Sequence, residues 1–147
     1  MKIRTATSND IEALCDLLVL LFSQEEEFIP DRDKQRHGLH LILTDSSIGE
    51  ILLIEKDNTI MGMVSLLYTI STALGGKVAL LEDIVMHPSA RGKGLGTELL
   101  QAAITWSRKK ECKRITLLTD GMNSSAISFY EKQGFQISEM LPMRLLF

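Results

Sequence analysis

A mixed α/β fold, one sheet with helices on its faces, is what this sequence predicts, and three observations predict it. First, short runs of aliphatic residues alternate with segments whose apolar positions recur at helical spacing. Second, their order reads strand, two helices, three strands, helix, strand, helix, two strands, which gives a mixed sheet of about seven strands. Third, a glycine-rich stretch, His87-Pro88-Ser89-Ala90-Arg91-Gly92-Lys93-Gly94-Leu95-Gly96-Thr97, separates the apolar run ending in Ile84-Val85-Met86 from a long amphipathic segment. That is the pattern of a buried strand, a tight turn and a helix N-terminus.

Composition bounds the rest. The 147 residues are 45% hydrophobic and 24% charged, ordinary values for one globular domain spanning 1–147. A net charge of −3 argues against nucleic acid as a partner. The start of the chain lacks a basic segment followed by an apolar one, and no apolar run is long enough to span a bilayer. Cys15 and Cys112 have no Cys-x-x-Cys or Cys/His spacing, so neither a disulfide nor a metal pair is expected, and the reading is a reduced, cytoplasmic protein.

In chain order, residues 3–6 read as a first strand. Asn9 and Glu12 have the spacing of a capping box for a helix whose apolar face is Ile11, Leu14, Cys15, Leu18, Leu21 and Phe22. The acidic run Glu25-Glu26-Glu27 reads as a solvated helix end, and Pro30 interrupts the pattern. A second helix is expected over 31–43 with Leu39, Ile42 and Leu43 on its apolar side. Strands at 51–54 and 60–70 are joined at Lys56-Asp57-Asn58, where Asp and Asn suit a tight hairpin. After a turn at 72–76, residues 78–86 form a fourth strand, apolar on both faces except for Glu82 and Asp83, as a central strand would be.

Leu95, Leu99, Ala102, Ala103 and Trp106 give the clearest helical period in the chain, closed by Arg108-Lys109-Lys110. A fifth strand at 115–118 and a short helix at 124–132 follow, with Gly134 as its C-cap. Residues 135–137 and 143–147 supply the last two strands. His37 and His40 sit three apart without further ligand spacing, so no metal is expected. His87 reads as a surface residue at a strand end.

The glycine stretch carries the chemistry. Glycines at 92, 94 and 96 remove side chains where an anion would approach backbone N–H groups. Amides at a helix start lack intrahelical partners and carry partial positive charge, and Arg91 and Lys93 add full charges. The stretch fits neither a Walker loop, since Gly94 follows Lys93, nor the dinucleotide fingerprint, whose third glycine would fall at Thr97 or Leu99.

What remains, Arg-x-x-Gly-x-Gly between strand and helix, resembles the pyrophosphate loop of the GNAT superfamily of acyl-CoA-dependent N-acyltransferases. A second stretch, Asn123-Ser124-Ser125-Ala126-Ile127-Ser128-Phe129-Tyr130-Glu131-Lys132-Gln133-Gly134-Phe135, resembles that superfamily's Asn-x-x-Ala-x-x-Phe-Tyr-x-x-x-Gly-Phe segment. The resemblance covers nearly the whole chain. It implies a mainly antiparallel sheet whose fourth and fifth strands splay apart, with acetyl-CoA as co-substrate and no metal. It also implies cofactor contacts from Ile84, Val85 and Met86, from Arg91, Gly92, Lys93, Gly94, Leu95, Gly96 and Thr97, and from Asn123. Tyr130 matches the family's general acid toward the departing sulfur, and Glu82 the general base toward an acceptor ammonium. A backbone N–H near Ile84 is the candidate for polarising the thioester carbonyl.

Each role has a bland alternative in packing, capping or ion pairing. Asn123 suits a helix cap, Tyr130 suits packing beside Phe129, and Asp83 is a weaker candidate than Glu82. A bulge in that strand would upset the alternation separating the two carboxylates. The basic cluster Arg108, Lys109, Lys110, Lys113 and Arg114 either reaches the cofactor's ribose phosphate or is simply exposed. The reading is an N-acetyltransferase acting on an amine, small molecule or peptide, by direct attack in a ternary complex. Neither cysteine falls near the expected gap, which disfavours a ping-pong route. A homodimer is plausible by analogy with relatives. The rival readings are an enzyme using a longer acyl group or another acyl carrier, and a non-catalytic acyl-CoA sensor on the same fold.

Overall fold

In the computed structural model, which describes residues 1–24 and 29–147, five strands form one sheet in the order β1 (Lys2–Thr5), β2 (Gly49–Lys56), β3 (Thr59–Ser71), β4 (Gly76–Met86) and β5 (Ile115–Leu117). The first four pair antiparallel, and β5 runs parallel to β4. Helices α1 (Ile11–Phe22) and α2 (Arg32–Leu43) cover one face, and α3 (Leu95–Lys109) covers the other. The last helix, α4 (Ser124–Glu131), follows β5. The acidic run at 25–27 lies outside the described residues.

Side-chain alternation makes this two-sided core. Leu52, Ile54, Val64 and Leu66 point to the α3 face, where they meet Leu95, Leu99, Leu100 and Ala103. Their neighbours Ile51, Leu53 and Met63 point the other way, onto Leu14, Cys15, Leu17, Leu18 and Leu39. The β2–β3 hairpin closes through Asp57 (φ 52°) and Asn58 (φ 61°), two left-handed residues in a row, which match the twist of a two-residue turn. Asp31 caps α2, accepting from the Lys34 N–H at 3.3 Å.

Two expectations are corrected. The chain has five strands among the described residues, not about seven: residues 135–137 and 143–147 form no strand. Their composition suits a strand, but a strand exists only where a neighbour takes its hydrogen bonds, and here none does. The N-terminal cap also falls elsewhere. The Thr7 N–H donates to Asp10 Oδ2 at 2.8 Å, at the same spacing as the expected Asn9/Glu12 pair. Arg4 decides the matter, because its guanidinium bonds both Asp10 oxygens at 2.9 and 3.0 Å and fixes that carboxylate at the cap. Glu12 instead bonds Arg32 and Arg36 from α2.

Candidate active site

The site begins with a break in pairing. Strand β5 meets β4 only at Ala79↔Ile115, Leu80↔Thr116 and Leu81↔Leu117. Beyond Leu81, β4 runs on through Met86 with β3 on one side and no strand partner on the other among the described residues. The backbone groups of Ile84 and Met86 therefore turn away from β3 toward an opening between β4 and the chain after β5, while those of Val85 pair with Met63. Ile84 and Met86 turn their side chains to the α3 face, while Val85 is buried on the α1–α2 face. The room for Met86 comes from Gly62 opposite it, where a Cβ would overlap the Met86 side chain at its sulfur and methyl.

A bulge at the mouth of this opening sets those directions. Val64 pairs with Ile84 and Leu66 with Leu81, so Ser65 faces two residues of β4, Glu82 and Asp83. Ser65, almost fully buried, accepts the Asp83 N–H at 3.1 Å on Oγ, which also lies 3.5 Å from Asp83 Oδ2. Glu82 is exposed and Asp83 half-buried. Asp83 is thus tied into the strand, and Glu82 is the carboxylate left at the surface of the opening. Sequence reasoning missed Ser65, whose only signal was a lone hydroxyl in the apolar run of β3.

The glycine stretch closes one end of the opening. Pro88–Ala90 makes one 3-10 turn, capped by His87, whose ring nitrogen accepts the Ser89 N–H at 3.2 Å. Gly92 (φ 75°) and Gly94 (φ 76°) are left-handed, and added Cβ atoms there would meet nothing within 4 Å. Both therefore border open space, and both hold a conformation that side chains resist. Gly94 is the N-cap of α3, and the first bond of the helix runs from the Glu98 N–H to the Gly94 carbonyl at 3.1 Å. The amides of Leu95, Gly96 and Thr97 lie ahead of that bond, without a carbonyl one turn back, at the positive end of a 15-residue helix.

Arg91 and Lys93 brace this loop. The Arg91 Nε donates to the Met86 carbonyl at 3.3 Å and the Lys93 Nζ to the Ser89 carbonyl at 3.0 Å. Arg108, Lys109 and Lys110 sit at the other end of α3, about 20 Å away by helix rise. There Lys110 pairs with Glu50 at 3.5 Å and lies over the Trp106 ring.

On the far side of the opening stands α4. Phe129 approaches within ordinary contact of the Gly96 position, which seats α4 against the start of α3. Tyr130 is half-buried, with its ring edge-on to Phe129 at 5.2 Å and to Phe135 at 5.9 Å. Burial pushes the Tyr130 phenol above its ordinary pKa, so it is neutral and holds its proton at neutral pH. Asn123 caps α4: its Oδ1 accepts the Ala126 N–H at 3.1 Å and the Ser125 hydroxyl at 3.1 Å. That capping role leaves the side-chain NH2 unspent.

The structure thus packs the end of β4, the start of α3 and α4 together: Met86 and Phe129 both lie within 4 Å of the Gly96 position, and Ile84 and Tyr130 pack on the same core cluster. It leaves His37 and His40 on α2, apart from them, and among the described residues no group of His, Cys, Asp and Glu could hold a metal. No helix of the described residues is long and apolar enough to cross a membrane.

Residues 11–135 match the sequence profile of the family described as acetyltransferase (GNAT) family. Among characterised and uncharacterised relatives, an uncharacterized N-acetyltransferase of Bacillus subtilis (strain 168), YhfO, is 30% identical over 139 residues, covering 92% of this chain and 90% of that protein. A glucosamine 6-phosphate N-acetyltransferase of Trypanosoma brucei brucei is 37% identical over 93 residues, 63% of this chain and 61% of that protein. Among solved structures, an integron cassette protein from the mobile metagenome of Cole Harbour Salt Marsh superposes with a TM-score of 0.85 at 25% identity, over 98% of this chain and 89% of that one.

Proposed function

The chain belongs to the GNAT acetyltransferase family, is an acetyl-CoA-dependent acyltransferase, and on that premise we propose that residues 1–147 act as one N-acetyltransferase domain. In this reading an acetyl group passes from acetyl-CoA to a primary amine by direct attack in a ternary complex. The observation that carries it is the unpaired β4 edge over 82–86 lying beside a glycine loop in which Gly92 and Gly94 border open space.

The residues fit the co-substrate by chemistry. The amides of residues 92–97, with Gly94 left-handed and unobstructed, suit a pyrophosphate, while the Arg91 N–H is spent on the Pro88 carbonyl at 3.3 Å. The backbone groups of Ile84 and Met86 that turn away from β3 suit the amides of an extended pantetheine arm, paired as an added strand, whereas those of Val85 between them go to Met63. The remaining NH2 of Asn123 is available to the same arm. Acetyl-CoA supplies the activated thioester.

This chain's own groups do the rest. Glu82, directly or through water, takes a proton from the acceptor ammonium so that the amine is a nucleophile. A backbone N–H near Ile84 stabilises the charge that develops on the carbonyl oxygen. As the new C–N bond forms and the C–S bond breaks, the nitrogen releases its second proton to water, and Tyr130 gives its proton to the departing sulfur and regains one from solvent. Its raised pKa suits a donor that must still be protonated at neutral pH. Acceptor-side contacts fall, among the described residues, to 29–43 and 69–77, and the placement is cytoplasmic, in keeping with Cys15 and Cys112 as free thiols.

The test is thiol release from acetyl-CoA across a panel of amines, amino acids, polyamines and peptides, with glucosamine 6-phosphate included because one relative bears that activity in its name. Release that depends on one acceptor class, and that Gly94→Arg abolishes together with acetyl-CoA binding, supports the reading. Tight acetyl-CoA binding with no acceptor-dependent release would replace it with a sensor. Normal acetyl-CoA binding by folded Gly94→Arg would sink the loop assignment.

A further inference from the structure

Trp106, the one tryptophan of the chain, stands on a surface that the reaction does not use. Beside it, between β1 and α3, lies a depression of about 320 Å³ lined by the apolar Ile3, Leu52, Ala102 and Trp106, with Arg4 and Lys109 among its polar lining. Strands β2 and β3 separate β1 from β4, so the depression stands roughly 14 Å, three strand spacings, from the edge that faces the opening. Its volume is at the bottom of the range for small-molecule sites, roughly 300–1,000 Å³, and suits a single large apolar side chain.

Charge is distributed unevenly around this seat. On β1 and α2 the arginines are neutralised: Arg4 bonds Asp10 and Glu55, Arg32 bonds Glu12 and Asp16, and Arg36 bonds Glu12 and Asp33. At the C-terminal end of α3 the cations are not. Lys109 and Lys110 follow Trp106 at i+3 and i+4, hence on its side of the helix. Lys110 lies over the Trp106 ring and shares Glu50, and Lys77 lies 5.0 Å over the ring of Tyr68, whose hydroxyl takes the Trp106 N–H. Next to them the Lys113 side chain covers Gly76, and the Lys113 N–H bonds the Lys77 carbonyl at 2.9 Å. Lys109, Lys113 and Arg114 are exposed and form no ion pair among the described residues. An apolar seat thus has unspent cations on one side and the carboxylates bound to Arg4 on the other.

We propose that this surface docks an acidic segment of a partner protein. One large apolar side chain enters the depression beside Trp106, and carboxylates next to it along the segment reach Lys109, Lys113 and Arg114. The buried anchor supplies affinity, and the cations supply steering and register. A nucleic acid fits less well, because its evenly charged backbone would run on past the cations onto Asp10 and Glu55 in a chain of net charge −3. Docking there leaves the opening free and does not depend on the acetyl-transfer reading.

Emission from Trp106, with calorimetry beside it, tests this on the full chain. The probe is a blocked peptide of three aspartates followed by leucine and phenylalanine. Its controls carry lysines for the aspartates or alanines for the apolar pair, and a short single-stranded RNA is run alongside. The expected result is a saturable change in emission with the acidic apolar peptide, weakening about tenfold between roughly 0.05 and 0.5 M salt. Lys109→Glu combined with Lys113→Glu should weaken binding at least about tenfold, with melting temperature and acetyl-CoA binding unchanged. No saturation by about 1 mM peptide overturns the inference, as does equal binding of either control peptide. So does tighter binding of the RNA, or a peptide affinity that survives in the folded double variant. The peptide and salt comparisons on the wild-type chain decide the matter if that variant does not fold.

Discussion

Strand β4 is one strand with two ends that behave oppositely. Over residues 76–81 it is paired with β3 throughout, and over 79–81 also with β5. Above it Trp106 Nε1 donates to the Tyr68 hydroxyl at 3.1 Å, and that hydroxyl donates on to Glu50 at 3.3 Å. Burial pushes the Tyr68 phenol up to about 12, so this chain of bonds keeps its protons at any working pH. Over 82–86 the strand is paired on one side only, ends in a bulge-shifted register, and faces glycines and free helix amides. The lesson is a division of labour within one element: the closed end fixes the strand, and so the open end can present bare backbone without unravelling.

Substitutions that separate the two ends sharpen or break that comparison. Tyr130→Phe should have the largest effect, lowering turnover ~10²–10⁴-fold, equivalent to ~3–5 kcal/mol of barrier, with acetyl-CoA affinity and melting temperature unchanged. Turnover equal to wild type would remove the phenol from the reaction. Leu66→Ala works at the closed end, where Leu66 is fully buried opposite Leu81. It should cost ~2–5 kcal/mol of unfolding free energy, read by denaturant titration, while leaving kcat of the folded fraction intact. A selective loss of kcat at constant stability would mean that the two ends are not independent.

Trp106→Phe keeps the ring and removes one donor. A loss of about 1 kcal/mol is expected, or a melting shift of ~2–4 °C for a chain of this size. An unchanged melting temperature would show that the Trp106–Tyr68 bond contributes nothing. The smallest effect belongs to a site remote from both ends. Arg4 holds the buried Asp10 carboxyl below its ordinary pKa. A depressed carboxylate contributes stability that is present above the unfolded value of about 3.9 and is lost as pH falls through the folded one. The acid limb of stability against pH should therefore flatten in Asp10→Asn, and an unchanged limb would assign acid sensitivity elsewhere.

Much of this was legible in the sequence, for reasons that differ by element. The spacing from Leu95 to Trp106 encodes α3 by periodicity alone, and Asp57-Asn58 encodes a hairpin because few residues accept a left-handed backbone. The loop at 91–97 and the α4 segment carrying Tyr130 were readable as motifs, and what the structure adds is that Phe129 packs at the Gly96 position. The bulge at Glu82-Asp83 was not readable, because it depends on Ser65 from another strand. Nor was the true cap of the first turn: Thr7/Asp10 and Asn9/Glu12 have equal spacing, and only Arg4 distinguishes them. The two missing strands failed for a related reason, since 135–147 has strand-like residues but no neighbour in the sheet.

The extra residue in β4 has one more consequence, for what lengths of chain this protein can tolerate. Leu81, Ile84 and Met86 share a face only because β4 spends three residues where β3 spends two. Deleting a residue at 82–83 would restore regular alternation and turn Ile84 and Met86 toward α1, with Val85 toward α3, exchanging every side chain on the floor of the opening. Deleting one from the turn at 72–75 would instead be absorbed at the exposed end of the β3–β4 hairpin, farthest from 82–86. Variation in length among proteins built this way should therefore gather at that turn and stop short of the bulge.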